Sequence, residues 1–381
     1  MKTLDQLPRK VLAQAVVLMG VISGIAAFGL HAPCRNSNYV DGVFSSLCYS
    51  DFAVVFAEPS VSAFNQFAPT TSLLAQLVSA LPFYWVTELV IFQLLLWSGF
   101  LLVAAKIIDS TVYPKFTALA FVSMPAYVFV LFVSDSIMGA GFATLSLLAW
   151  HAANFRKAGV FAGLALASGM WTWVLLLAYF VFARRFEALH IFRKVALTAV
   201  AVAIAVSALR FTQGSPLLIP VNFNAGEGTP QFVWALLDNA TAGSNLIVTV
   251  FGAAALLALA QYFDYLPFDF QLEPMLVVFL SISLITSISI SPQHLIHLLW
   301  ILPLWRNDWK LLLSISVIFI GYTIAVWLRF EAGQENARGI PDVPYALIAI
   351  GLWVTLFYLA KRAYLSMSQP GIDSREVSSV H

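Results

Sequence analysis

VLAQAVVLMGVISGIAAFGL, residues 11–30, carries no charged side chain over twenty residues, and its reading decides the fold class. Twenty helical residues rise about 30 Å, the thickness of a bilayer's hydrocarbon core. Lys2, Arg9 and Lys10 precede the run. A Lys/Arg excess marks the cytoplasmic side, so the N-terminus is placed inside. The stretch is long for a signal peptide and lacks a small-x-small cleavage site before Pro33, so an uncleaved anchor is expected.

The rest of the 381 residues agrees. Hydrophobic residues make up 60% of the chain and charged ones 10%, against about 25% charged in a soluble domain. A soluble surface cannot be built from so little charge. Twenty Lys and Arg against nineteen Asp and Glu leave a net charge of +1, which gives nucleic acid no basic footprint. Cys34 and Cys48, the only cysteines, fit neither a zinc site nor a redox pair. No Gly-rich phosphate loop, HExxH or GxSxG motif is present. The class is an all-α polytopic membrane protein.

Working outward from the first span, the mixed, polar stretch 31–69 is an external loop. Thr70–Pro82 is apolar but too short to cross, and reads as interfacial or re-entrant. Spans follow at Tyr84–Lys106, Phe116–Ser134 and Ile137–His151, after which Arg156 and Lys157 mark the cytoplasm. Gly159–Phe182 has cations at both ends and a break at Ser168-Gly169, which predicts a hairpin dipping in and back. Further spans are read at Ile191–Leu209, Asn245–Phe263, Met275–Ile290, Pro292–Trp305, Lys310–Leu328 and Tyr345–Ala360. Loops 210–244 and 329–344 fall outside, and both termini inside. One place resists: the inner loop Asp264–Glu273 carries acid and no base. Residues 1–365 form one membrane domain of about 10–12 transmembrane or re-entrant helices, followed by a polar cytoplasmic tail, 366–381, expected to be disordered.

Two external places gather candidate chemistry. The first is the loop holding Cys34, Cys48-Tyr49-Ser50-Asp51 and Glu58. Cys34 and Cys48 read either as a disulfide closing thirteen intervening residues or as two buried thiols. Asp51 reads as a general base above the membrane, or as a solvated carboxylate or helix N-cap. Glu58 reads as solvated or salt-bridged. The second place is Ser291-Pro292-Gln293-His294-Leu295-Ile296-His297. Ser-Pro suits an N-cap with proline in the first turn. His294 and His297, three apart, would add imidazolium charge to the freed amides, and Gln293 a donor, for an anion such as phosphate. Two interfacial histidines with ordinary hydrogen bonds are the alternative. Asp135, Arg210 and Glu88 stand near span ends, where ionisable groups are either functional or snorkelling. Arg329, Glu331, Glu335 and Arg338 read as a solvated face. Gly159-x-x-x-Gly163 reads as helix packing, and the tryptophans at span ends, Trp305 and Trp353 among them, as an interfacial belt.

Three of these stretches together resemble the GT-C superfamily of integral-membrane glycosyltransferases, and within it the bacterial, actinobacterial-type polyprenyl-phosphate-mannose-dependent mannosyltransferases. They are Cys48-Tyr49-Ser50-Asp51 before an interfacial stretch, Gly163-Leu164-Ala165-Leu166-Ala167 in the hairpin, and Ser291-Pro292-Gln293-His294 with Leu302-Pro303-Leu304 behind it. The likeness covers about residues 11–305. It departs at His294, where many members carry an aromatic, and in lacking a Lys after the Gly-Leu-Ala run. The resemblance implies a GT-C fold and an inverting transfer of a sugar, mannose in that family, from a polyprenyl-phosphate donor to a glycolipid or glycan acceptor on the outer face. Asp51 would be the base. His294, His297, Gln293, Arg210, Tyr49 and Asp135 would bind donor phosphate or substrate. The lipid-linked sugar is a co-substrate, and no cofactor or metal is expected. The competing class is a transporter or flippase for a lipid-linked sugar, which would show inverted repeats and mid-membrane charges. A non-catalytic scaffold is a third.

Overall fold

The computed structural model describes residues 8–36, 50–57, 68–132, 136–169, 173–211, 242–266, 271–286, 292–306, 308–335 and 342–367. Among them there is helix and no strand. The helices are α1 (Arg9–Leu30), α2 (Ala32–Asn36), α3 (Asp51–Ala57), α4 (Pro69–Ser79), α5 (Trp85–Asp109), α6 (Phe116–Ser123), α7 (Ala126–Val130), α8 (Ser136–His151) and α9 (Phe155–Leu166). They continue as α10 (Trp173–Arg185), α11 (Leu189–Phe211), α12 (Ala242–Asp264), α13 (Leu272–Ile285), a 3-10 turn (Pro292–Leu295), α14 (Ile296–Leu299), α15 (Leu302–Trp305), α16 (Trp309–Glu335) and α17 (Asp342–Met367).

Five described helices are long and apolar enough to cross a membrane: Arg9–Leu30, Trp85–Asp109, Leu189–Leu209, Trp309–Leu328 and Leu347–Met367. Of the other expected spans, Asn245–Phe263 falls within α12 (Ala242–Asp264) and Ile137–His151 within α8 (Ser136–His151), while proline accounts for two breaks in the rest. Pro125 divides the run read as Phe116–Ser134 into α6 and α7, since proline lacks an N–H and crowds the preceding turn. The run read as Pro292–Trp305 becomes a 3-10 turn and two one-turn helices, the second opening on Pro303. The loop expected at 329–344 is shorter: α16 continues to Glu335 and α17 begins at Asp342. The side chains of Arg329, Glu331 and Glu335, and all of Arg338, lie outside the described residues.

α1 is packed into the bundle rather than beside it. Trp97 Nε1 donates to the Gly20 carbonyl at 3.1 Å, and Ser23 Oγ to the Val122 carbonyl at 2.8 Å. A Cβ at Gly24 would stand 2.6 Å from the Trp97 indole, so only glycine admits that approach.

The hairpin expected over Gly159–Phe182 is formed by α9 and α10, broken after Leu166. Both turns flanking it end a helix on a residue at positive φ, Ala153 at 53° and Glu187 at 55°. The following amides close the caps, Asn154 N to Ala149 O at 2.9 Å and Ala188 N to Ala183 O at 2.7 Å, which satisfies otherwise orphaned helix-end carbonyls. Asn154 then accepts from Lys157 N at 3.2 Å and caps α9. Gly159 and Gly163 press α9 onto α11: a Cβ at Gly163 would lie 2.5 Å from the Ala199 carbonyl, and at Gly159 2.8 Å from that of Val195. The glycine spacing is therefore packing.

Two belt and tail expectations are corrected. Trp353 stands in the middle of α17, not at an end. Ser366, placed in the disordered tail, is helical and accepts a 3.1 Å hydrogen bond from Trp305 Nε1.

Candidate functional site

Ser50 opens the next described segment, and its hydroxyl donates to the Phe132 carbonyl at 2.7 Å, which ties the start of α3 to the end of α7. Asp51 is the first residue of α3, so the cap position falls to Ser50, and the N-cap reading of Asp51 is displaced. Behind it Phe52 and Phe56 pack on Phe92 of α5, with ring centroids 4.8 and 5.4 Å apart. Cys34 is buried and disulfide-bonded; Cys48, the other cysteine of the chain, lies outside the described residues.

Ala167 O accepts from Thr70 N at 3.0 Å, which joins the hairpin tip to the start of α4. Thr71 Oγ1 contacts the Met138 sulfur in α8 at 3.4 Å. Gly169 faces His297: a Cβ there would stand 3.6 Å from the imidazole Cε1. α14 packs on α7 and α8. Ser50 thus meets the α7–α8 junction, Ala167 the start of α4, and His297 the hairpin tip.

The anion-site geometry expected there needs correction. His294 sits in the 3-10 turn and His297 in a four-residue helix, so no long helix dipole backs them. His297 is 2% exposed and does not stand at a water interface. A charge so buried is costly unless paired, so the His297 ring suits neutral N–H donation better than imidazolium. Gln293, Arg210 and Asp51 are described in backbone alone. Tyr49, Glu58 and Asp135 lie outside the described residues.

At the opposite helix ends the structure shows a polar cluster that reading the sequence missed. Glu273 Oε1 accepts from Tyr113 Oη at 2.5 Å and from His151 Nε2 at 2.6 Å. The rings of Tyr113 and His151 meet edge to face, 5.8 Å apart. Beside them Trp150 stacks on Tyr179 at 4.2 Å, and Tyr179 Oη is 2.9 Å from Ser146 Oγ. Tyr113 lies in the turn after α5, and Glu273 in the first turn of α13 ahead of its apolar run. Burial alone would raise the Glu273 carboxyl; the His151 ring and the Tyr113 hydroxyl outweigh it and hold the group below the usual carboxylate range. Burial, then the carboxylate, pushes the Tyr113 hydroxyl well above its ordinary value.

The same ends carry the ion pairs. Arg9 pairs with Asp109, Arg184 with Asp264 at 3.1 Å, and Arg362 with Asp308 at 3.4 Å. Arg185 also donates to the Asp264 and Leu266 carbonyls. This answers the acid-only stretch Asp264–Glu273: its bases come from α10 and α8, 80 and 122 positions away for Arg184–Asp264 and His151–Glu273. The available signal was that imbalance. Its resolution is tertiary, and no local pattern names the partner.

Among the described residues, no group of three or more His, Cys, Asp or Glu side chains could hold a metal. No protein-family model, curated protein or solved structure matches the chain.

Proposed function

We propose that the chain is a membrane glycosyltransferase of GT-C type, moving a sugar from a polyprenyl-phosphate donor to a glycolipid or glycan acceptor on the outer face, with both termini in the cytoplasm. The observation that carries this reading is that Ser50 ties the start of α3 to the α7–α8 junction, while the hairpin tip bonds the start of α4 and faces His297, whose helix packs on α7 and α8. Ser50 and Ala167 belong to stretches that carry the resemblance, His297 lies three residues beyond the third, and all are far apart in sequence. The resemblance makes mannose the first sugar to try.

The mechanism is a single displacement. An acceptor hydroxyl oxygen attacks the anomeric carbon as Asp51 takes its proton, and the bond from that carbon to the phosphate oxygen breaks with inversion. A positioned base contributes about 10²–10⁴ in rate. Polyprenyl phosphate is already a good leaving group, so stabilising its charge matters more than protonating it. His294 and His297, as neutral donors, and Arg210, as a cation, are the residues proposed for that role.

The test is transfer of labelled sugar from polyprenyl-phosphate-mannose by the purified chain in nanodiscs. Acceptor-dependent release of polyprenyl phosphate is expected. A second reading, a transporter or flippase for a lipid-linked sugar, draws on the meeting of interrupted helices at the hairpin tip and the 3-10 turn, since discontinuous helices form the sites of many transporters. Movement of a fluorescent lipid-linked sugar between leaflets without sugar transfer would replace the first reading by the second.

A further inference from the structure

Gln93, in the third turn of α5, is 1% exposed, and neither its amide oxygen nor its nitrogen has a hydrogen-bond partner among the described residues. An amide buried without partners in an apolar setting costs about 2–7 kcal/mol. Ser281, Ser283 and Ser316 are orphaned as well, yet a helical serine can turn its hydroxyl onto the carbonyl one turn back. Gln93 offers four hydrogen-bonding sites on a longer arm and is poorly served that way. Thr70 Oγ1 is orphaned too. It is the second residue of α4, so no intrahelical carbonyl lies behind it.

Gln93 follows Phe92, whose ring packs on Phe52, the residue after Asp51. Thr70 carries the amide that bonds the hairpin tip. α4 and α5 pack on one another. Both orphans therefore sit on the helices that flank the proposed site. Both are uncharged, and each can donate and accept. Such groups suit neutral hydroxyls rather than a phosphate, which asks for cations or several N–H donors.

We infer that Gln93 and Thr70 form the sugar-recognition side of the site, binding ring hydroxyls of the substrate, while the phosphate is held elsewhere. This deepens the glycosyltransferase reading and rests on it.

The experiment compares the parent with Gln93→Leu and Thr70→Val, full chain in nanodiscs, by thermal unfolding and by transfer kinetics. Removing an orphaned amide should leave the midpoint of Gln93→Leu equal to or above that of the parent, because no native partner is lost. The KM for the lipid-linked sugar should rise about tenfold, the loss of one or two hydrogen bonds. Thr70→Val should act in the same direction, with rescue by Thr70→Ser. A lower unfolding midpoint for Gln93→Leu, or an unchanged KM, overturns the inference. If the parent transfers no sugar, the glycosyltransferase reading fails separately, and methyl α-mannoside decides the inference as probe. Its stabilisation of the parent must be lost in Gln93→Leu; no stabilisation of the parent overturns it.

Discussion

The two ends of the bundle are held in different ways. At one end, charge is matched to charge across helices: Arg9 with Asp109, Arg184 with Asp264, Asp308 with Arg362, and Glu273 with His151 and Tyr113. At the other, the described contacts are neutral: a serine on a carbonyl, a backbone amide on the hairpin tip, aromatic rings on Phe92, and a glycine beside His297. Paired charges fix helix ends at a stated register. Neutral, partly unsatisfied groups leave hydrogen-bonding capacity free for a substrate. The contrast assigns stability to the first end and chemistry to the second.

The largest effect should come from breaking the charged end. Glu273→Ala removes the acceptor shared by Tyr113 and His151 and leaves a buried hydroxyl and a partly buried ring without it. A loss of about 3–5 kcal/mol is expected, read as reduced unfolding free energy in mild detergent. A variant as stable as the parent would break the comparison.

A smaller effect is expected between the ends. Gly163→Ala puts a methyl 2.5 Å from the Ala199 carbonyl, so α9 must back away from α11. A cost of about 1–3 kcal/mol is expected from such overpacking, and the hairpin tip should shift relative to His297. Crosslinking of cysteines introduced at Gly169 and His297 would report the shift as a lower yield.

The smallest effect is the pH dependence of the charged end. The Glu273 carboxyl is held low in the folded chain. Its contribution is therefore present above the ordinary carboxylate pKa of about 4.3 and is lost as pH falls through the lower folded value. The stability gap between the parent and Glu273→Gln should narrow below about pH 4. A gap that stays constant there would detach the carboxylate from the clamp.

How much of this was legible in the sequence follows from the range of the forces involved. Residues 11–30 announce a span because twenty uncharged residues mean one thing in water and another in lipid. The hairpin was legible from cations at both ends of Gly159–Phe182 and the Ser168-Gly169 break. The split at Pro125 was not, because a hydropathy run passes over a single proline. Trp353 was misplaced although it already lay midway along the expected span Tyr345–Ala360, because tryptophan in an apolar run was read as a belt residue. The partners of Asp264 and Glu273 were beyond reach, since each is brought in from another helix by packing. At the candidate site, Asp51 and the histidines were legible as residue types near the ends of apolar runs. The burial of His297 was not, and neither was Gln93, a polar residue in an apolar run whose unpaired amide shows only once its neighbours are in place.

The division between the ends is tested most directly by one paired measurement: single-turnover sugar transfer and thermal unfolding on Asp51→Asn and Glu273→Gln in the same nanodiscs. Asp51→Asn should keep the parent's unfolding midpoint and lose transfer by about 10²-fold or more. Glu273→Gln should unfold at lower temperature and, per folded molecule, transfer within a few-fold of the parent. Near-normal turnover by Asp51→Asn, or loss of turnover confined to Glu273→Gln, would contradict the account.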